Sequence, residues 1–259
     1  MPSKVFRGAS GGGAGTPTDI AAASVSFKPG FENNVLNSTT ITCVASSAAP
    51  ARVIINGAIY TNTSDAVVGL TVAGRSGLDT GSVAAATVYY VYAIPAASGA
   101  TFNLVASITA PTGAGPTGFT DTWSYLGCVS TLAGSADLPE FTHYNGLFAS
   151  GSTLESETST TSASDQTHTF VSPAKPIMKY WRVRCFFRGT VADQYGQVKT
   201  IAGGGDSIQV RASVTTVLNF FGPSLLPCNT SNTLYSFFNA GHSFQILLVG
   251  WQENPMEYP

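Results

Sequence analysis

Charge is what this chain has least of. Of its 259 residues only 10% are Asp, Glu, Lys or Arg, against roughly 25% in an ordinary soluble domain. A monomer so poor in charge presents a broad neutral surface that tends to associate, so the composition favours a chain that works inside an assembly. Its net charge of −2 excludes a whole-protein field that would attract nucleic acid. Histidine is scarce too: His143, His168 and His242 stand far apart, with no His-x-x-x-His pair and no cysteine at metal-ligand spacing. Cys43, Cys128, Cys185 and Cys228 form no C-x-x-C pair and lie in apolar or Thr-rich runs, where they read as small buried hydrophobes rather than disulfide or metal partners. No cofactor is implied. No apolar run approaches the roughly 20 residues of a membrane span, and no apolar segment of a signal peptide follows Met1-Pro2-Ser3-Lys4. The expectation is a product of a cytoplasm that does not insert into membranes. Also missing is any helical periodicity of useful length. The Gly-rich stretches at 9–15 and 203–205 lack the Lys-Ser/Thr ending of a phosphate loop.

What is present is β chemistry: short aromatic and β-branched runs separated by Gly, Pro, Asn and Asp. Residues 1–24 are the exception. Gly8, Gly11, Gly12, Gly13 and Gly15 interrupt them without apolar periodicity, and the segment reads as an extended anchoring arm. Lys4, Phe6 and Arg7 are its candidate assembly contacts. Residues 25–148 read as an N-terminal β domain, within which Asn56-Gly57 between Val53-Ile54-Ile55 and Ala58-Ile59-Tyr60 predicts a type I′ hairpin. Residues 149–166, rich in Ser and Thr, read as a linker, and 167–259 as a C-terminal β domain. There Trp181, Val183, Cys185 and Phe187 alternate with Arg182, Arg184 and Arg188. Ile208, Val210, Ala212 and Val214 alternate in the same way with Gln209, Arg211, Ser213 and Thr215, and Phe244, Ile246 and Leu248 with Gln245, Leu247 and Val249, ending at Trp251. Period two over three runs predicts half-buried antiparallel strands. The fold class expected is all-β, an antiparallel sandwich or jelly roll of two units behind an arm.

Three side-chain groups bear on function. Seven of the twelve basic residues lie between Lys175 and Arg211, and Arg182, Arg184, Arg188 and Arg211 form a basic row. One reading is an anion-binding face, since guanidinium groups take carboxylates and phosphates bidentately; the other is a solvated outer face, or partners for Asp193 and Asp206. Tyr90 and Tyr92 share one strand face and Tyr89 the other, so a contact face and a core-and-edge role are both open. A glycosidase would need two facing carboxylates. Asp137 and Glu140 around Pro139, and Glu155 with Glu157, read more simply as solvated turn residues, and the chain is expected not to be an enzyme.

The stretch from Leu78 to Phe148 carries a resemblance. Asp79-Thr80-Gly81-Ser82 leads into the strand Tyr89-Tyr90-Val91-Tyr92, then come Pro116-Thr117-Gly118-Phe119-Thr120, the Gly127-Cys128-Val129 strand and Pro139-Glu140-Phe141. The runs between the turns read as an antiparallel meander, and the order of landmarks resembles a module of tailed-bacteriophage virion structural proteins. The resemblance implies a β-sandwich virion component, a homotrimer joined to other virion proteins through its arm and engaged in host attachment, with a host surface glycan as a further partner. Within it a tail fibre or tail-tip subunit is the first expectation. A capsid decoration (cement) protein is the alternative, and a glycan depolymerase the third.

Overall fold

In a computed structural model of the chain, residues 29–111, 115–119, 122–151, 153–159, 165–170, 178–188, 195–201, 204–211, 218–227, 233–238 and 244–253 are described. The anchoring arm 1–24 and its Lys4, Phe6 and Arg7 lie outside them. Within the described residues the protein is all-β and contains no helix. The first half holds β1 (Phe31–Asn33), β2 (Thr40–Cys43), β3 (Ala51–Ile55), β4 (Ala58–Asn62), β5 (Ala66–Gly69), β6 (Val88–Pro95), β7 (Phe102–Ser107), β8 (Ser124–Ser130) and β9 (Phe141–Tyr144). Then follow β10 (Leu147–Ser150), β11 (Glu155–Ser159), β12 (Gln166–Thr169), β13 (Met178–Arg188), β14 (Tyr195–Ile201), β15 (Gly204–Arg211), β16 (Leu218–Pro227), β17 (Thr233–Phe238) and β18 (Phe244–Glu253).

The largest sheet runs β16-β13-β18-β10-β9-β1-β2-β5, with β11 beside β10 on the same edge of β18. β18, near the end of the chain, is therefore a middle strand. β13 pairs it along one edge from Phe244 to Glu253, while β10 and β11 divide the other edge at Gly250–Gln252 and Phe244–Leu248. This corrects the expected division of the chain. The sheet carries strands from both expected units, and the segment 149–166 expected as a linker supplies the end of β10, β11 and the start of β12. Asn145-Gly146 explains why. With φ of 52° and 75°, these two residues close a two-residue hairpin between Tyr144 and Leu147, as Asn56 and Gly57 (49° and 77°) do between Ile55 and Ala58. Positive φ at both central positions is the I′ geometry that Asn-Gly adopts at low cost.

Residues directly opposite one another share a face, and on the inner face of this sheet they form an aromatic row. Trp181, Trp251, Phe148, His143 and Phe31 pair in that order across β13, β18, β10, β9 and β1. Phe148 stacks on Trp251 at 4.3 Å and 13°, and Phe31 on His143 at 4.3 Å and 7°. All five are buried. A β-bulge sets this row. The register slips between Arg182 and Val183 opposite Gly250 and Leu248, so Val249 is the extra residue and the alternation changes phase. Ile246 and Leu248 point inward before the bulge, Trp251 and Glu253 after it. Unbroken alternation would have put Trp251 on the outer face. Gly250 makes the bulge possible: its φ is 151°, and a Cβ there would run into the carbonyl oxygen of Phe148.

A three-stranded sheet, β7-β6-β8, lies against the inner face at β9 and β18, the four-stranded sheet β12-β17-β14-β15 is separate, and β3-β4 is a lone hairpin. Phe170, directly after β12, meets Trp181 edge-on at 5.6 Å, and one hydrophobic cluster runs from Phe31 to Trp251 through all of these layers. The expected meander is partly corrected. β8 pairs the free edge of β6 rather than β7, because residues 76–79 already occupy the outer edge of β7, through Ser76 N–H to Leu104 C=O, Ala106 N–H to Gly77 C=O and Asp79 N–H to Ala106 C=O. Cys43, Cys128 and Cys185 are buried and unpaired; Cys228 lies outside the described residues.

Candidate functional site

The outer face of the large sheet holds the basic row. Following the register, Leu225, Arg182, Gly250, Ala149, Thr142, Glu32, Thr42 and Val67 pair successively across eight strands. Arg184 is two residues from Arg182 on the same face of β13, opposite Leu247. Both guanidinium groups are part-buried, and neither has an ion pair among the described residues. The Nε of Arg184 is buried with no hydrogen-bond partner. Burial pushes the Arg182 pKa down from its ordinary value, and the neighbouring Arg184 charge adds to that. Two like charges held side by side and partly dehydrated are unfavourable in the isolated chain. Among the described side chains, the carboxylates nearest on this face are Glu140, just before β9, and Glu32 on β1. They stand three and four strands away, roughly 14 and 19 Å at the usual strand spacing, and Asn34 already donates to Glu32 at 2.5 Å.

Beside Arg182 the face has a floor almost without side chains, because the next two residues in its row are Gly250 and Ala149. Gln252 and Leu147 form the row on one side of that floor, and Leu247 lies on the other. A second concavity, about 520 Å³ between the β4–β5 loop and β7, is lined by Thr63, Ser64, Ser76, Thr101 and Asn103. Its polar anchors are committed within the chain: Asn62 exchanges hydrogen bonds with the backbone of Phe102 at 2.9 and 3.0 Å, and Asp65 accepts from Ala45 N–H at 2.8 Å.

Arg188 and Arg211 end β13 and β15, so Arg211 stands on a different sheet from the other three and is not part of the face; the side chains of both are outside the described set. Tyr90 and Tyr92 are corrected as contact residues. Both faces of β6 are buried, Tyr92 packs on Trp123 and Tyr125 at 5.2 and 5.7 Å, and its hydroxyl donates to Thr109 C=O at 2.5 Å. Tyr89, on the opposite face, is buried as well and its hydroxyl accepts from Ala84 N–H. β6 is central in its own sheet and covered on both sides, so neither face reaches solvent.

The most concentrated polar chemistry in the described structure was not legible in the sequence. Glu253, 2% exposed, points into the core after the bulge. Its Oε2 accepts from the Tyr125 hydroxyl at 2.6 Å; its Oε1 accepts from the Cys128 N–H at 2.9 Å, the Cys128 thiol at 3.2 Å and His143 Nε2 at 2.8 Å. Burial alone would raise the Glu253 pKa, but the His143 charge and the hydrogen bonds from His143, Tyr125 and Cys128 N–H outweigh it and hold the carboxyl below its ordinary 4.5. An ionised carboxylate only accepts, so Nε2 of His143 carries the proton. Burial, with the Glu253 charge second, pushes the Cys128 thiol well up; burial first, then the charges of Cys128 and Glu253, does the same to Tyr125. Gly127 is needed beneath the cluster, since a Cβ there would occupy the His143 ring. Closed to solvent, the cluster ties the C-terminal strand to β8 and β9 rather than meeting a substrate. His168 and Ser236 make a similar closed contact at 2.7 Å. Among the described residues no three His, Cys, Asp or Glu side chains are placed to hold a metal ion.

No family model matches the chain, and neither does any curated protein or solved structure.

Proposed function

We propose that this chain is a non-enzymatic structural subunit of a tailed-phage particle, a homotrimeric tail fibre or tail-tip component that contributes to host attachment. The observation that carries the reading is the outer face of the large sheet. It is eight strands wide and, among the described residues, nearly free of carboxylates, with Arg182 and Arg184 in no ion pair. Low overall charge supports it, because a chain with 10% charged residues gains from covering surface in an assembly. So does its order of turn and aromatic landmarks between Leu78 and Phe148. The Gly-rich N-terminal segment serves as the anchor to the particle, and the sheet face is left outward. The buried Glu253 cluster holds the C-terminal strand in place and takes no part in chemistry.

The test is composition and assembly. The purified chain should have the mass of a trimer in solution, and it should be found in several copies in purified particles. Deleting residues 1–24 should leave a folded β protein that no longer enters particles. A monomer absent from particles, or normal incorporation of the truncated chain, would overturn the corresponding part of the proposal. Loss of head stability without the chain would move it from tail to capsid.

A further inference from the structure

We infer that Arg182 and Arg184, with the floor formed by Gly250 and Ala149, bind the oxyanion of an acidic saccharide. The inference rests on the outward, attachment-competent face proposed above and gives that face a ligand chemistry. Three independent features of the site converge. The two guanidinium groups repel each other and have no carboxylate within reach among the described side chains, so the face carries a local excess of positive charge that an anion removes. The Nε of Arg184 is buried and unpartnered, and a dehydrated donor without an acceptor is unfavourable. The floor beside Arg182 has room because Gly250 and Ala149 follow it in the row, and Gly250 is kept free of a side chain by the bulge itself.

The borders of that floor distinguish a saccharide from a bare anion. Leu247 on one side offers an apolar edge for the C–H face of a sugar ring, and the amide of Gln252 on the other, one N–H of which donates to the Asn145 carbonyl at 3.5 Å, keeps a second N–H and its oxygen for hydroxyls. A carboxylate or phosphate on the same ring would reach the paired arginines. An acidic protein segment would be held by the charges alone and make no use of the narrow floor.

The experiment is a calorimetric titration of the full-length chain with three probes. They are a hexasaccharide of alternating glucuronic acid and N-acetylglucosamine, the same hexasaccharide with its carboxyls reduced to alcohols, and a glucose-phosphate oligomer; a poly-glutamate peptide of equal charge is the protein-like control. The expected result is saturable binding of one or both acidic saccharides, weakened at least about tenfold by carboxyl reduction, by Arg182→Gln and by Arg184→Gln. Affinity should fall as salt rises. The thermal midpoint of Arg184→Gln should stay level or rise by about 2 °C, since the variant relieves like-charge repulsion. Equal binding of the reduced hexasaccharide, equal binding of poly-glutamate, no binding of any saccharide at millimolar concentration, or unchanged affinity in both variants would each overturn the inference. Saccharide binding by a chain absent from particles would instead remove the virion role and leave the site standing. A particle-borne chain that binds no acidic saccharide would do the reverse.

Discussion

Replacing Glu253 by Gln keeps the shape of the buried cluster and removes its charge. The amide oxygen can stay where Oε1 is, still accepting from Cys128 N–H and His143, while the NH₂ faces Tyr125, whose hydroxyl can turn to accept. Three charge-assisted hydrogen bonds become ordinary ones, a loss of about 1 kcal/mol each, so the variant should be less stable by about 3 kcal/mol at pH 7. Glu253→Ala, which leaves the Tyr125 hydroxyl, the Cys128 N–H and thiol and the His143 N–H without an acceptor, should lose about 5 kcal/mol. The pH dependence follows from the direction of the shift. The carboxyl is held below 4.5 in the fold, so its stabilising contribution is fully present above 4.5 and is lost as pH falls through the folded value. Guanidinium unfolding followed by the fluorescence of the buried Trp181 and Trp251 measures both quantities. The gap between the native chain and Glu253→Gln should shrink as pH falls below 4.5; other carboxylates titrate alike in both chains and cancel. A gap under about 0.5 kcal/mol at pH 7, or one that does not change down to pH 3, would refute the argument.

Two further outcomes follow from the same geometry. Gly250→Ala drives a Cβ into the Phe148 carbonyl and disturbs the bulge that turns Trp251 and Glu253 inward, so it should cost about 3 kcal/mol in the same unfolding measurement; a native-like midpoint would show that the bulge can be regularised. Burial pushes the Cys43 and Cys185 thiols up to about 12, with the Asp65 charge a second cause at Cys43, and holds Cys128 well up. At pH 8 roughly one in ten thousand of the first two is ionised. In a Cys228→Ser background, labelling by a disulfide reagent should therefore proceed only at the rate of unfolding, and prompt labelling of the native chain would contradict their burial.

Much of the fold was legible because period-two patterning is a local signal. Trp181, Val183 and Cys185 face inward and Arg182 and Arg184 outward as the alternation of β13 requires, and the Asn56-Gly57 hairpin closes as its residues dictate. The linker was misread because β11, Glu-Ser-Glu-Thr-Ser, has no apolar face of its own; its pairing with β18 is a backbone contribution that composition conceals. Asn145-Gly146 carried the signal that could have corrected this, the same dipeptide as at 56–57. The aromatic row and the Glu253 cluster were illegible for a different reason. One extra residue at Val249 reverses the face of everything after it, and the groups that meet Glu253 come from positions 110 to 128 residues away. As for the basic row, β13 placed Arg182 and Arg184 on one face from pattern alone, but that no carboxylate among the described side chains reaches them follows only from the register of five further strands.

The location of the chain on a particle tests the account most directly. Intact virions labelled with gold-conjugated antibody against residues 170–259 should carry gold at the tail end, with the C-terminal strands accessible from outside. Gold spread over the head would contradict the tail assignment and make the arginine face a capsid contact, and particles without gold would contradict the virion role altogether.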